Sequence, residues 1–255
     1  MTFVKAAFNS EWKSLGDDNY LHIINIKEID TELSTLIDKS IVKICEGKSD
    51  TDIKTIKKRL VAFLTPKRGT TTEMGAIAEF FSHLYLTAIG FKQEFLFFNL
   101  EEGSIKKGFD GYYSLEDEEW IFESKSGKIT SNNVSHKSKI NEAYSDLQNK
   151  ISGNVKNNPW QNAYNHASIV GSVENIRENL KKLSQDFTNG NHPDINNFNV
   201  IPGSTIFLEG TWKSIDSASL EPKIKNMITK YKFKKINVVC INKTSIDLFW
   251  DYLEC

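Results

Sequence analysis

A chain of 255 residues with an apolar fraction of 39% is long enough for one large domain or two modest ones, and apolar enough to bury a core. Its 32 Lys and Arg against 33 Asp and Glu leave a net charge of -1, which argues against a broadly basic nucleic-acid binder and leaves only local basic runs. The opening residues lack the apolar run of a secretory signal, no segment approaches membrane-spanning length, and Cys45, Cys240 and Cys255 are widely separated, so a cytoplasmic protein with free thiols and no structural zinc is expected.

In chain order, a short strand at 21–26 precedes two amphipathic helices, one with Ile29, Leu33, Leu36, Ile37, Ile41 and Ile44 at helical spacing, the next with Ile53, Ile56, Leu60, Phe63 and Leu64. Basic residues cluster at Lys54, Lys57, Lys58, Arg59, Lys67 and Arg68. Pro66 and Gly69 interrupt the pattern, and Thr70, Thr71 and Thr72 offer capping hydroxyls. A boundary near residue 68 follows, separating a mostly helical 1–68 segment from an α/β domain over 69–255. A helix over 73–89 carries Ile77, Phe81, Leu84, Tyr85 and Ala88 on one stripe and stops at Gly90. Aromatic-rich segments of strand length at 91–100, 108–114 and 119–123 predict a three-stranded meander. A helix over 135–151, a turn-rich stretch at 153–159, a helix over 173–187 and a polar loop from Thr188 come next. Strands at 204–209 and 236–241 complete the reading, with the basic run Lys230, Lys232, Lys234 and Lys235 just before the second.

Chemistry concentrates in the meander. If 108–114 and 119–123 are antiparallel neighbours, Asp110 comes within reach of Glu123, and the two-residue period puts Glu123 and Lys125 on one face of their strand. Converging carboxylates need a cation, and hard oxygen donors suit Mg2+ or Mn2+ better than zinc. Such an ion polarises a scissile phosphate and activates water, while Lys125 orients that water, helps to deprotonate it, or neutralises developing charge. The plain alternative is an exposed hairpin with polar residues outward. Against it, Trp120, Ile121 and Phe122 run directly into the charged strand end, and Gly108 and Gly111 flank Asp110.

Asp110 followed by Glu123-Ser124-Lys125 at a strand end, after one helix and before another, resembles the PD-(D/E)XK nuclease superfamily. The resemblance spans residues 72 to about 172 and implies a restriction-endonuclease-like α/β core: helix, three-stranded meander, helix, strand, with a mixed sheet flanked by helices. Gly75-Ala-Ile-Ala-Glu79, with Gly90-Phe91 eleven residues later, resembles the superfamily's first-helix motif, which implies that Glu79 joins Asp110 and Glu123 as a metal ligand and Lys125 completes the catalytic set. Glu73 competes for the place of Glu79. Phe109 stands where a proline can precede the aspartate, a position that varies in the superfamily.

The wider layout also resembles the nuclease subunit family of the Hachiman antiphage defence system, on the glycine-flanked aspartate, the Glu-Ser-Lys strand end and the overall size. That implies a Mg2+-dependent deoxyribonuclease controlled by a helicase (ATPase) partner, which would supply much of the DNA binding. The rival expectation is a nuclease-like subunit that binds nucleic acid or protein without cutting. His136, Lys137 and Lys139 are candidates for phosphate contact at a helix start, Gln148 for positioning the nucleophile, and Trp160, Tyr164 and His166 for base stacking, each balanced against an ordinary surface or packing role.

Overall fold

The computed structural model describes residues 2–98 and 108–254. The chain starts with helix α1 (Thr2–Phe8) and the antiparallel pair β1 (Glu11–Gly16) and β2 (Asn19–Ile26). Helices α2 (Thr31–Glu46), α3 (Ile53–Leu64) and α4 (Thr71–Ala88) follow. Asp30, Asp52 and Thr70 cap their starts by accepting from backbone N–H groups three residues on. Then come β3 (Lys92–Gln93), β4 (Gly111–Leu115), β5 (Glu118–Lys128) and α5 (His136–Ile151). Helices α6 (Pro159–Ile169) and α7 (Glu174–Thr188), strand β6 (Asn199–Phe207), helix α8 (Ser217–Ile228), strand β7 (Lys235–Lys243) and helix α9 (Asp247–Glu254) complete the chain.

The strands form one mixed sheet in the order β1-β2-β7-β6-β5-β4-β3. β2, β7, β6 and β5 run parallel to one another, β1 joins β2 antiparallel, and β3, β4 and β5 make an antiparallel meander. β5 is therefore the seam between the two halves. Helices cover both faces, giving the α/β class, consistent with a restriction-endonuclease-like core. On one face α2, α3, α4 and α9 bury Ile37, Leu60, Phe80, Phe81 and Phe249 against Phe122, Ile201 and Ile241. On the other, α5 to α8 bury Ile140, Leu147, Trp160, Leu180 and Ile224 against Ile121, Val200 and Val238. The alternation of Ile121 and Phe122 between the two cores follows from the two-residue period of a strand. Strands β6 and β7 are buried nearly throughout, as expected for parallel strands covered on both sides.

The segment expected as a strand over 91–100 keeps the ladder only at Lys92 and Gln93, paired with Ser114 and Tyr113. Beyond them Phe97 N–H bonds Ile44 O at 3.0 Å and Phe98 N–H bonds Cys45 O at 3.4 Å, so this stretch serves the open carbonyls at the end of α2 instead of extending the sheet. Asn99 and Leu100 lie outside the described residues. Four helices, α1 among them, and a strand exceed the sequence reading. Pro159, read as part of a turn, begins α6 behind an Asn158 cap. Pro222 sits inside α8 and masks it. The short α9 sits at the end of the chain, and β1 alternates half-buried and exposed residues with no apolar run to announce it. Strands β1 and β2 of the 1–68 segment continue the sheet formed by later residues. Cys45 and Cys240 are buried free thiols, and Cys255 lies outside the described residues.

Candidate active site

Strand β4 starts at Gly111, opposite Phe122, so Asp110 is the residue at which the β4–β5 ladder opens, opposite Glu123. Its carboxylate finishes the ladder: Oδ2 accepts from Ser124 N–H at 2.8 Å. One register step further along β5, Lys125 points to the same face as Glu123. Both side chains lie under α5. Lys125 Nζ is 3.1 Å from Glu123 Oε1 and 2.5 Å from Asp146 Oδ2, and Lys150 Nζ is 2.5 Å from Glu123 Oε2.

Glu79 reaches the same neighbourhood from α4. His83, one turn after it and fully buried, joins its Nε2 to Glu79 Oε1 at 3.2 Å and its Nδ1 to the Tyr113 hydroxyl. A carboxylate only accepts, so Nε2 carries the proton of this bond. Gly111 makes this possible, because a Cβ there would stand 2.9 Å from the Tyr113 ring and 3.1 Å from His83.

Glu73 does something else. It is buried at the start of α4, where Oε1 accepts from Trp250 Nε1 and Oε2 from Gly69 N–H, each at 2.6 Å. Those bonds tie the helix entrance to α9 and keep Glu73 out of the cluster.

Electrostatics bind the four predicted residues into one group. Burial, together with the charges of Glu123 and Glu79, pushes the Asp110 carboxyl up to about 7 despite Lys150 and Lys125. Burial works to lower the Lys125 ammonium, but Glu123, Asp110 and Asp146 outweigh it and hold Lys125 above its ordinary range. Asp110, Glu123, Lys125 and Glu79 therefore act on one another. Among the described residues, however, no three His, Cys, Asp or Glu side chains stand at the spacing of a metal site, and both Glu123 oxygens carry ammonium groups.

Sequence reasoning missed Asp146 and Lys150. They sit one helical turn apart on the flank of the α5 stripe formed by Ala143, Leu147 and Ile151, which is the signal that would have found them. Other candidates take different places. His136 turns inward, with Nδ1 2.9 Å from Ser204 Oγ and Nε2 3.0 Å from Asn242 Oδ1, and burial lowers it to about 4. Lys139 pairs with Glu142 at 2.7 Å. Lys137 and Gln148 are exposed on α5. Trp160 and His166 are fully buried, packed against Phe109 at 4.9 Å and stacked on Phe95 at 3.8 Å, so neither offers a face to a base, and Tyr164 packs against the same core. No helix among the described residues is long and apolar enough to cross a membrane.

No curated protein sequence matches this chain. A family model described as HamA matches residues 1–252, nearly the whole length, so the chain belongs to the HamA family of Hachiman antiphage defence proteins.

Proposed function

We propose that the chain is a metal-dependent nuclease of PD-(D/E)XK type, an effector of Hachiman defence that hydrolyses DNA phosphodiesters under the control of a helicase partner. The observation that carries the reading is the closeness of Asp110, Glu123 and Lys125 where the β4–β5 ladder opens, with the Asp110 carboxyl raised to about 7 by burial and by the charges of Glu123 and Glu79. Repulsion of that kind is what a hard divalent cation relieves, and three carboxylates are the donors that such a cation prefers. The residues fit Mg2+ or Mn2+ in kind, and Asp110, Glu123 and Glu79 would hold it. When bound, the ion lowers the pKa of water and offsets charge on the leaving oxygen.

The chain's own residues divide the remaining work. Lys125, set between Glu123 and Asp146, pairs with a phosphate oxygen or orients the attacking water and offsets the charge that develops there. Asp146 holds Lys125 from the helix side, and Lys150 holds Glu123. His83 fixes the direction of Glu79 through its hydrogen bond to that side chain.

The test compares wild type, Glu123→Ala and Lys125→Ala for cleavage of plasmid and single-stranded DNA in Mg2+, with and without the helicase partner. Loss of cleavage in both variants is expected. Equal cleavage in all three would sink the reading.

A further inference from the structure

The two basic runs meet different fates. In the first, Arg59 pairs with Glu46, Lys57 lies 3.9 Å from the Tyr252 ring, Lys67 3.8 Å from that of Phe63, and Arg68 4.6 Å from that of Trp250. Those cations are spent on packing. In the second, Lys235 pairs with Glu118, whereas Lys230, two residues past α8, faces Lys137 in the first turn of α5 across a groove of about 540 Å³. Tyr231 lines the groove, stacked on Tyr144 with ring centroids 3.8 Å apart and planes 1° from parallel. Asn141, Gln148 and Asn226 supply amides, and none of the lining residues is acidic. Two lysines, amide groups and a held aromatic ring, without a carboxylate, are the components of a site for a nucleic-acid strand.

The placement fits as well. At 100° per residue, Lys137, Asn141 and Gln148 lie on one flank of α5, and Asp146 and Lys150, which touch the cluster, lie on the other. The ridge between them carries Ser145, Asn149 and Ser152, its one acid, Glu142, is paired with Lys139, and Asp146 on the far flank is paired with Lys125. A polyanion crossing α5 therefore meets no unpaired carboxylate among these residues. The crossing is one helix wide, about 10 Å, or on the order of three nucleotides at a rise of about 3.4 Å. A base lies against a protein ring only when it is free of a duplex stack, so Tyr231 suits a single strand.

We propose that the α5–α8 groove binds a single strand of nucleic acid, with phosphates on Lys137 and Lys230 and a base against Tyr231, and passes it over α5 to the carboxylate cluster. For the identity of its ligand this rests on the nuclease reading. The test measures anisotropy of a fluorescein-labelled thymidine oligonucleotide with the full chain in EDTA, where no hydrolysis occurs, across a range of salt. Lys137→Gln/Lys230→Gln should bind about 25-fold more weakly at 0.1 M salt, with a salt slope shallower by about 1.4, since each phosphate contact on a single strand contributes about 0.7. Tyr231→Leu should weaken binding roughly tenfold with the slope unchanged. Lys54→Gln/Lys58→Gln, two exposed lysines elsewhere, should bind as wild type.

The proposal is overturned by a wild-type chain that does not bind the oligonucleotide, by a Lys137→Gln/Lys230→Gln midpoint within twofold of wild type, by an equal loss in the control pair, or by polyglutamate competing as well as unlabelled oligonucleotide. These readings are independent of cleavage. A Glu123→Ala chain that still cuts DNA removes the nuclease reading whatever the anisotropy shows, and unchanged anisotropy removes the groove while leaving the cleavage data standing.

Discussion

The two faces of the sheet bury charge in opposite ways. Under α2 to α4 and α9, Glu73 has a donor on each oxygen, and the fully buried Lys243 gives its ammonium to Ser245 O at 2.9 Å and lies 4.9 Å from the Phe81 ring. Glu73 is settled with its own partners, while burial lowers Lys243 to about 7 against the pull of Asp247 and Asp251. Where the β4–β5 ladder opens toward α5, Asp110, Glu123 and Glu79 are set against one another, with Lys125 and Lys150 shared among them. Burial of a carboxylate therefore does not mark a site in this protein. Mutual repulsion among carboxylates is the signal on which the proposed site rests.

Substitutions can break this contrast, and the largest effect belongs to the cluster. Glu123→Ala and Asp110→Asn should each lower DNA cleavage by on the order of 10³ or more, about 4 kcal/mol of transition-state stabilisation, measured as initial rates on plasmid in Mg2+. On the apolar face, Phe80→Ala empties the contacts with Phe81, Phe97 and Phe249 and should cost about 3–5 kcal/mol in urea unfolding. The helix α4 offers a matched pair: Glu73→Gln turns an amide N–H toward one of its two donors and should cost about 1–3 kcal/mol of stability with cleavage retained. Glu79→Gln should do the reverse. Cleavage loss in the first and stability loss in the second would exchange their roles.

A further effect is in pH. His136 and His22 are held near 4 by burial, below the ordinary value of 6.5, so the unfolded chain takes up protons first on acidification. Their contribution is whole above pH 6.5 and is lost as pH falls toward 4. His136→Ala should flatten the slope of melting temperature against pH in that window while leaving the slope above pH 7 unchanged.

How much of this was legible follows the physics of each feature. Helices α2 to α5 and α7 announce themselves because one apolar stripe per helix is enough to place it, and β7 reads from its unbroken apolar run. The pairing of Asp110 with Glu123 was legible because antiparallel register needs only a short turn between two strands. The contacts from α5 were not, since which residue of a helix meets a strand depends on how the helix lies over the sheet. Thus Asp146 and Lys150 went unseen while Glu123 and Lys125 did not. The choice between Glu73 and Glu79 depended on α9, whose Trp250 is 177 positions from Glu73. No local pattern carries that distance. The strand expected over 91–100 failed for a related reason, because residues 97 and 98 serve carbonyls at the end of α2.

The bond from Ser124 N–H to Asp110 Oδ2 gives the protein a built-in reporter. That amide is the single backbone proton whose hydrogen bond ends on a cluster carboxylate among the bonds described above. Its chemical shift and hydrogen-exchange rate will follow whatever the Asp110 carboxyl does: protonation, ion capture or substrate arrival. A 15N-labelled chain can thus be watched at one resonance, with no side chain of the cluster altered.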